Sequence, residues 1–91
     1  MSERLDRIRA SLEAELTPTA LEIHDDSAAH AGHAGAAHHG GGHYSVLIVS
    51  SLFAGKTLVQ RHQMVYRALG SLMQTDIHAL IIKAHTHDEV H

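Results

Sequence analysis

Cysteine is absent from the 91 residues of this chain, and so is tryptophan. Without thiols the chain forms no disulfide, offers no thiolate ligand to a metal and has no cysteine nucleophile. Aromatic residues make up 3% of the sequence, so its apolar content comes mainly from leucine, isoleucine, valine and alanine. No run of about 18 apolar residues is present, and we therefore expect no membrane-spanning helix.

Basic residues are also scarce. Seven lysines and arginines stand against ten acidic residues, which gives a formal net charge of −3 with histidine neutral. Nucleic-acid binders usually carry a basic excess or a basic stripe, and this chain shows no such excess. The stretch "MSERLDRIRASLEAEL" is charged throughout and lacks the apolar centre of a secretory signal. These features lead us to expect a cytoplasmic protein.

Histidine, in contrast, is abundant, with 11 residues in the chain. Six of them lie between positions 24 and 43, in a segment otherwise built mainly of alanine and glycine. Such a polar, low-complexity segment predicts a mobile loop, at about 27–42. The spacing of its histidines matches no closed zinc motif, although imidazole is a good ligand for Zn²⁺, Ni²⁺ and Cu²⁺.

Hydrophobic periodicity outside that segment predicts five regular elements. They are a helix that ends before Pro18, a strand at 20–25, a strand at 43–51, a helix at about 58–74 and a strand at 77–85. Gly55 is expected to allow the turn between the second strand and the second helix. The apolar stripe of that helix contains Leu58, His62, Val65, Leu69, Leu72 and Met73. We expect the tail after residue 85 to form a short helix or to fray.

The order of these elements limits the topology. The first two strands can pair antiparallel across the loop, whereas the helix between the second and third strands makes those two parallel through a right-handed crossover. The sequence therefore predicts one α+β domain over residues 1–91, in the order helix-strand-strand-helix-strand. Its three-stranded mixed sheet is expected to carry the helices on one face.

Four blocks of the sequence resemble the BolA family in order and spacing. They are "DDS" followed by His30, "HYSVLIVSSLFAGK" at 43–56, "RH" at 61–62 and "IHAL" at 77–80. The resemblance covers nearly the whole chain and implies a fold like the type II KH domain. Three departures stand out: "RHQ" where a second arginine is common, Tyr44 for a usual phenylalanine, and little sequence for the usual C-terminal helix.

The resemblance implies a non-enzymatic protein that binds a monothiol glutaredoxin and shares a labile [2Fe–2S] cluster with it. The glutaredoxin cysteine and a glutathione thiol would ligate one side of the cluster, and this chain would complete the other side. Carried over to this sequence, the ligands are His78 in "IHAL" and His30 in the loop. The alternative ligands are His33, His38, His39 and His43.

The chemistry of imidazole permits such a role. Imidazole replaces thiolate at one iron in Rieske centres, where it raises the reduction potential. Because it is protonatable, a cluster that depends on it should be labile and acid-sensitive. For the isolated chain we expect only adventitious metal, and a monomer or weak homodimer.

Two other functions are compatible with the sequence. The first is a DNA-binding transcriptional regulator, in which Lys56, Arg61 and Arg67 would contact nucleic acid or a protein partner. KH domains clamp nucleic acid through a GXXG loop, whereas the corresponding turn "LFAGK" has one glycine and one lysine, so DNA binding ranks second. The other is a Zn²⁺ or Ni²⁺ buffer that uses the histidine loop alone.

Overall fold

The computed structural model describes residues 3–26 and 42–90. Within them the elements follow the predicted order. They are α1 (Glu3–Leu16), β1 (Ala20–Asp25), β2 (Gly42–Val49), a 3-10 turn (Ser51–Phe53), α2 (Leu58–Leu69), α3 (Leu72–Thr75), β3 (Ile77–His85) and a second 3-10 turn (His87–Val90). The tail after β3 therefore forms a short helix, one of the two outcomes expected for it.

The strands of the described residues form one mixed sheet in the order β1-β2-β3. β1 pairs antiparallel with β2, from Ala20 opposite Val49 to Asp25 opposite Tyr44, and β2 pairs parallel with β3. The predicted α+β architecture with a mixed sheet is thus confirmed. The position of β2 between two neighbours explains its long apolar run, because a central strand is the one most fully covered by its surroundings.

One face of the sheet carries the hydrophobic core. On β2, the alternate side chains Tyr44, Val46 and Ile48 are each at most 2% exposed. The same core cluster receives Ile8, Leu12 and Leu16 from α1. Their four-residue spacing places them on one side of the helix. Full burial of each leucine or isoleucine contributes roughly 1.5–3 kcal/mol, so this helix stripe is a main source of stability.

The opposite face of the sheet bears the remaining side chains of each strand. Its middle row consists of Glu22, Leu47 and Lys83, which are cross-strand neighbours. Side chains two residues apart on a strand share a face, so His43 belongs to the same series as Leu47. Burial along β2 alternates accordingly, with His43 half-buried between buried neighbours. The imidazole of His43 therefore lies on the face opposite the core.

α2 begins with a capping box. Thr57 Oγ1 accepts a hydrogen bond from the Gln60 N–H at 3.1 Å, and Gln60 Oε1 accepts one from the Thr57 N–H at 2.9 Å. Gly55 makes the preceding turn with a φ of 75°, as predicted. Gly70, with a φ of 55°, ends α2. The prediction of one continuous helix to about residue 74 is therefore wrong, since α3 is a separate turn.

The buried face of α2 also differs from the predicted stripe. Leu58 is 65% exposed and His62 has intermediate exposure, so neither belongs to the core. The buried residues are Arg61, Val65 and Leu69. They recur every four residues, which is also a helical spacing. The apolar pattern predicted a buried His62 because it considers only apolar residues, whereas the buried face of α2 includes the charged residue Arg61.

Ser50 joins the end of α1 to the end of the sheet. Its hydroxyl donates to the Leu16 carbonyl at 2.6 Å and accepts from the Leu52 N–H at 3.1 Å. Its main-chain N–H donates to the His85 carbonyl at 2.9 Å. This side chain is completely buried, and these bonds satisfy it as burial requires.

Candidate functional site

Two of the predicted ligands, His43 and His78, lie side by side. His43 is the second residue of β2 and His78 is the second residue of β3. Because the two strands are parallel, their first residues lie at the same edge of the sheet. The centroids of the two imidazole rings are 5.2 Å apart, and the ring planes are tilted by 56°. His78 is exposed and His43 is half-buried.

The ladder between β2 and β3 is irregular at this point. Gly42 pairs with Ile77, whereas His43 pairs with Ala79, so His78 is inserted relative to the regular register. An insertion of this kind is a β-bulge, which bends the strand and redirects a side chain. The proximity of the two imidazoles therefore depends on this bulge.

The segment 27–41 joins the described fold beside the same pair. Before it, the Asp26 N–H donates to the His43 carbonyl at 2.7 Å. The carboxylate of Asp26 also accepts a hydrogen bond from the Ser45 hydroxyl. After the segment, Gly42 leads directly into His43. The predicted ligands that lie outside the described residues are His30, His33, His38 and His39.

Asp76, directly before β3, provides a buried carboxylate next to this site. It accepts hydrogen bonds from Thr75 Oγ1 at 2.6 Å and from the guanidinium of Arg7 in α1. These bonds, that of Thr75 first, lower the pKa of Asp76 and keep it ionised. The bond to Asp76 in turn raises the pKa of Arg7. The Asp76 carbonyl accepts from the Gly42 N–H at 3.0 Å. No local pattern in the sequence predicts this anchor, because Arg7 and Asp76 are 69 positions apart.

The donor set of the site is small. Within residues 3–26 and 42–90, no three histidine, aspartate or glutamate side chains are grouped so that they could hold a metal ion. His43 and His78 provide two nitrogen donors, and the chain has no cysteine. Two imidazoles suit Zn²⁺, Ni²⁺ or Cu²⁺, or an iron at which imidazole replaces thiolate. Complete coordination therefore needs ligands from segment 27–41 or from another molecule.

Arg61, a predicted contact for a partner or nucleic acid, is directed into the protein. It is 7% exposed. Its two terminal nitrogens donate to the carboxylate of Glu89 at 2.6 and 3.0 Å, a bidentate pair. Nη1 also donates to the Ala84 carbonyl at 3.1 Å, and Nε donates to the Lys56 carbonyl at 3.0 Å. The guanidinium is therefore engaged within the chain.

The ion pair at Arg61 perturbs both of its partners. The hydrogen bond from Arg61, followed by that from the Thr86 N–H, lowers the pKa of Glu89 to about 2. The same carboxylate raises the pKa of Arg61. Arg61 thus acts as a bridge between α2, β3 and the C-terminal 3-10 turn.

The structure does not bring the three predicted basic residues together. Lys56 is exposed in the turn before α2, and Arg67 is exposed in the last turn of that helix. Arg67 lines a groove next to α1 with Glu15 and Met64. Six residues of helix place Arg61 and Arg67 about 120° apart around the axis. Of the three predicted contact residues, Lys56 and Arg67 are therefore exposed, and the prediction is corrected for Arg61, which is internal.

The chain was compared with known families and proteins. A family model described as "BolA-like protein" matches residues 12–89. SufE-like protein 1, chloroplastic/mitochondrial, of Arabidopsis thaliana is 46% identical over 88 residues, which cover 92% of this chain and 24% of that protein. The DNA-binding transcriptional regulator BolA of Escherichia coli is 35% identical over 81 residues, which cover 89% of this chain and 73% of that protein.

A solved structure of a BolA domain has the same fold as this chain. The BolA domain of SufE1 from Arabidopsis thaliana matches with a TM-score of 0.84 and 43% identity, over 99% of both chains. This chain spans about a quarter of the length of SufE-like protein 1, so that similarity concerns one part of the longer protein. In the part of the chain that the structure describes, no helix has the length and apolar character needed to cross a membrane.

Proposed function

The chain belongs to the BolA family, and on that premise we propose that it is a non-enzymatic iron–sulfur adaptor. In this role it binds a monothiol glutaredoxin and provides imidazole ligands to a labile [2Fe–2S] cluster. The sulfur ligands come from the glutaredoxin cysteine and from glutathione. The observation that carries the proposal is the contact between the rings of His43 and His78, 5.2 Å apart at one edge of the sheet.

The donor chemistry of the chain fits a shared site. The chain has no cysteine, so any thiolate must come from a partner. His78 is exposed at the sheet edge, where a docked protein can approach it. We propose His78 as one ligand and His30 as the second, with His33, His38 and His39 as alternatives to His30. His43 is the alternative best supported by the geometry, because it already lies beside His78.

Imidazole ligation has consequences for the kind of function. When bound, the cluster would supply an iron whose reduction potential is higher than in an all-thiolate site. Imidazole binds metal only in its neutral form, so protonation competes with ligation. A site of this kind releases its metal readily, which suits cluster transfer or iron and redox regulation better than storage.

Reconstitution with the partner tests the proposal. The purified chain is mixed with a monothiol glutaredoxin, glutathione, iron and sulfide, and the visible absorption and circular dichroism are recorded. We expect a spectrum different from that of glutaredoxin alone. His78→Ala should abolish this difference. His24→Ala, at an exposed histidine of β1, is the matched control and should leave the spectrum unchanged. A mixture that gives the spectra of glutaredoxin alone would refute the proposal.

The second ligand is identified in the same assay. His30→Ala and His43→Ala are compared separately with the parent chain. Loss of the heterocomplex spectrum in one of these variants, with its retention in the other, assigns the ligand. The cytoplasmic location stays a prediction, and the name of the Arabidopsis relative assigns that protein to the chloroplast and mitochondrion.

DNA binding is the second candidate function, and the observation that favours it is the similarity to the Escherichia coli regulator. The exposed cations Lys56 and Arg67 would then contact phosphate, whereas Arg61 is engaged by Glu89. The formal net charge of −3 weakens this candidate. A salt titration tests it, because phosphate contacts make the affinity for DNA fall steeply as the ionic strength rises.

A metal buffer built on the histidine segment also stays a prediction. It requires stoichiometric Zn²⁺ or Ni²⁺ binding that survives His78→Ala and disappears when residues 27–41 are deleted. The adaptor proposal requires the opposite dependence of cluster binding on His78. The same pair of variants therefore separates the two functions.

A further inference from the structure

Asp76 connects the helical layer to the strand end that carries the two histidines. Its carboxylate accepts hydrogen bonds from Arg7 Nε at 3.2 Å and from Thr75 Oγ1 at 2.6 Å. Its main-chain N–H donates to the Leu72 carbonyl at 2.9 Å, and its carbonyl accepts from the Gly42 N–H at 3.0 Å. One buried residue is therefore fixed by α1, α3 and β2 together.

We propose that Asp76, held by Arg7, is a positioning residue for the imidazole pair, an inference that rests on the proposed function. Gly42, which is bonded to the Asp76 carbonyl, directly precedes His43. His78, the inserted residue of the bulge, follows Asp76 by two residues. A displacement of the Asp76 main chain is therefore transmitted to both imidazoles.

The bulge is the reason why such an anchor is needed. A regular ladder fixes the relative position of two strands through repeated hydrogen bonds, but a bulge interrupts that repeat. Here the interruption falls between Gly42 and His43. The bond from Gly42 to the Asp76 carbonyl, together with the ion pair from Asp76 to Arg7, fixes β2 and β3 directly before that interruption. Supporting groups of this kind typically change metal affinity by about 10–100-fold when they are lost.

Zinc titration of the isolated full-length chain, followed by NMR of its histidine rings, tests the inference. Because each ring gives its own resonances, binding at His43 and His78 is distinguished from binding at histidines elsewhere in the chain. We expect Zn²⁺ to shift the resonances of both rings with one common affinity. Asp76→Asn should weaken that affinity by roughly tenfold or more and reduce the ring-to-ring nuclear Overhauser effect.

Glu89→Gln is the matched control, because it weakens the Arg–carboxylate pair at the other end of β3. It should change the zinc affinity of the two rings by less than about twofold, well below the loss typical of a supporting group. Equal effects of the two substitutions on the rings would mean that Asp76 only stabilises the fold, and this would overturn the inference. An unchanged zinc affinity in Asp76→Asn would overturn it as well.

A second variant covers the case in which Asp76→Asn does not fold. The side chain of Arg7 is 52% exposed, so Arg7→Met leaves the core untouched. It should weaken zinc binding at the two rings by roughly threefold or more, and Arg7→Lys should recover most of the loss because it restores the positive charge beside Asp76. Failure of Arg7→Met to change the ring affinity would also overturn the inference.

The two proposals fail in different ways. The zinc titration involves no glutaredoxin. If Asp76→Asn does not change the zinc affinity of the two rings, the positioning role of Asp76 is overturned and the adaptor function is unaffected. Conversely, if no cluster forms with glutaredoxin while Asp76→Asn still separates the two rings, the adaptor function fails and the positioning role remains.

Discussion

The two ends of β3 are held by the same chemistry in opposite settings. Before the strand, the side chain of Asp76 is 11% exposed and its partner Arg7 is 52% exposed. After the strand, the side chain of Arg61 is 9% exposed and that of its partner Glu89 is 42% exposed. The buried member of the pair is therefore the carboxylate at the histidine end and the guanidinium at the C-terminal end.

The difference assigns each pair a separate task. A buried polar group must be satisfied by hydrogen bonds, so each end depends most on its buried member. At the histidine end, Asp76 also accepts from Gly42 and thereby fixes β2 against β3. At the other end, Arg61 donates to the Ala84 carbonyl. The next carbonyl along β3, that of His85, accepts a hydrogen bond from the Ser50 N–H of the chain that continues β2. The Ala84 carbonyl therefore points to the other side of β3, away from β2, and Arg61 covers this edge of the sheet.

The largest expected effect is the loss of the buried guanidinium. Arg61→Met leaves the Ala84 and Lys56 carbonyls without their donor, and we expect it to lower the free energy of unfolding by about 2–3 kcal/mol. Urea denaturation followed by circular dichroism measures the change. Arg67→Met, an exposed position on the same helix, is the control and should change stability by at most about 0.5 kcal/mol. Equal losses in both variants would contradict the assigned role.

A smaller effect is expected at the exposed member of the same pair, and it depends on pH. Because the pKa of Glu89 is lowered from 4.5 to about 2, its contribution to stability is complete above its ordinary pKa and is lost as the pH falls through about 2. Glu89→Gln should therefore be less stable than the parent at pH 7. That difference should shrink as the pH falls towards 2 and below, because the parent carboxylate then takes up its proton.

Thermal unfolding of the parent and of Glu89→Gln, compared across the acid range, checks this prediction. His85 Nδ1 lies 4.0 Å from Glu89 Oε1 and adds, after Arg61 and the Thr86 N–H, to the lowering of the Glu89 pKa. Since Glu89 is 42% exposed, solvent screening keeps the effect below that of Arg61→Met. A stability difference that stays constant from neutral to strongly acidic pH would show that the ionised carboxylate is not its source.

Most of the fold was predictable because its signals are local. The apolar run from Val46 to Val49 identified the central strand, and Gly55 identified a turn that needs a positive φ. The error in α2 has a physical cause. Arg61 occupies a core position because its charge is paired with Glu89, and a pattern of apolar residues alone does not anticipate an internal arginine.

The site was less predictable because its geometry depends on distant contacts. His78 was identified from the "IHAL" block, but the position of His43 beside it depends on a one-residue shift between two strands. Register shifts of this size change which side chains meet. The anchor of that register joins Arg7 to Asp76, residues 69 positions apart. No short-range pattern in the sequence specifies such a pair.

The smallest expected effect distinguishes the two ends within one molecule. The Gly42 amide donates to the carbonyl of Asp76, directly before β3, and the Ser50 amide donates to the carbonyl of His85, the last residue of β3. Arg7→Met should speed hydrogen exchange of the Gly42 amide by roughly threefold to tenfold and leave Ser50 unchanged, because local openings differ in free energy along a structure. Glu89→Gln should instead speed hydrogen exchange of the Ser50 amide and leave that of the Gly42 amide unchanged. Exchange followed by NMR measures both amides, and a uniform response to either variant would mean that β3 opens as one unit.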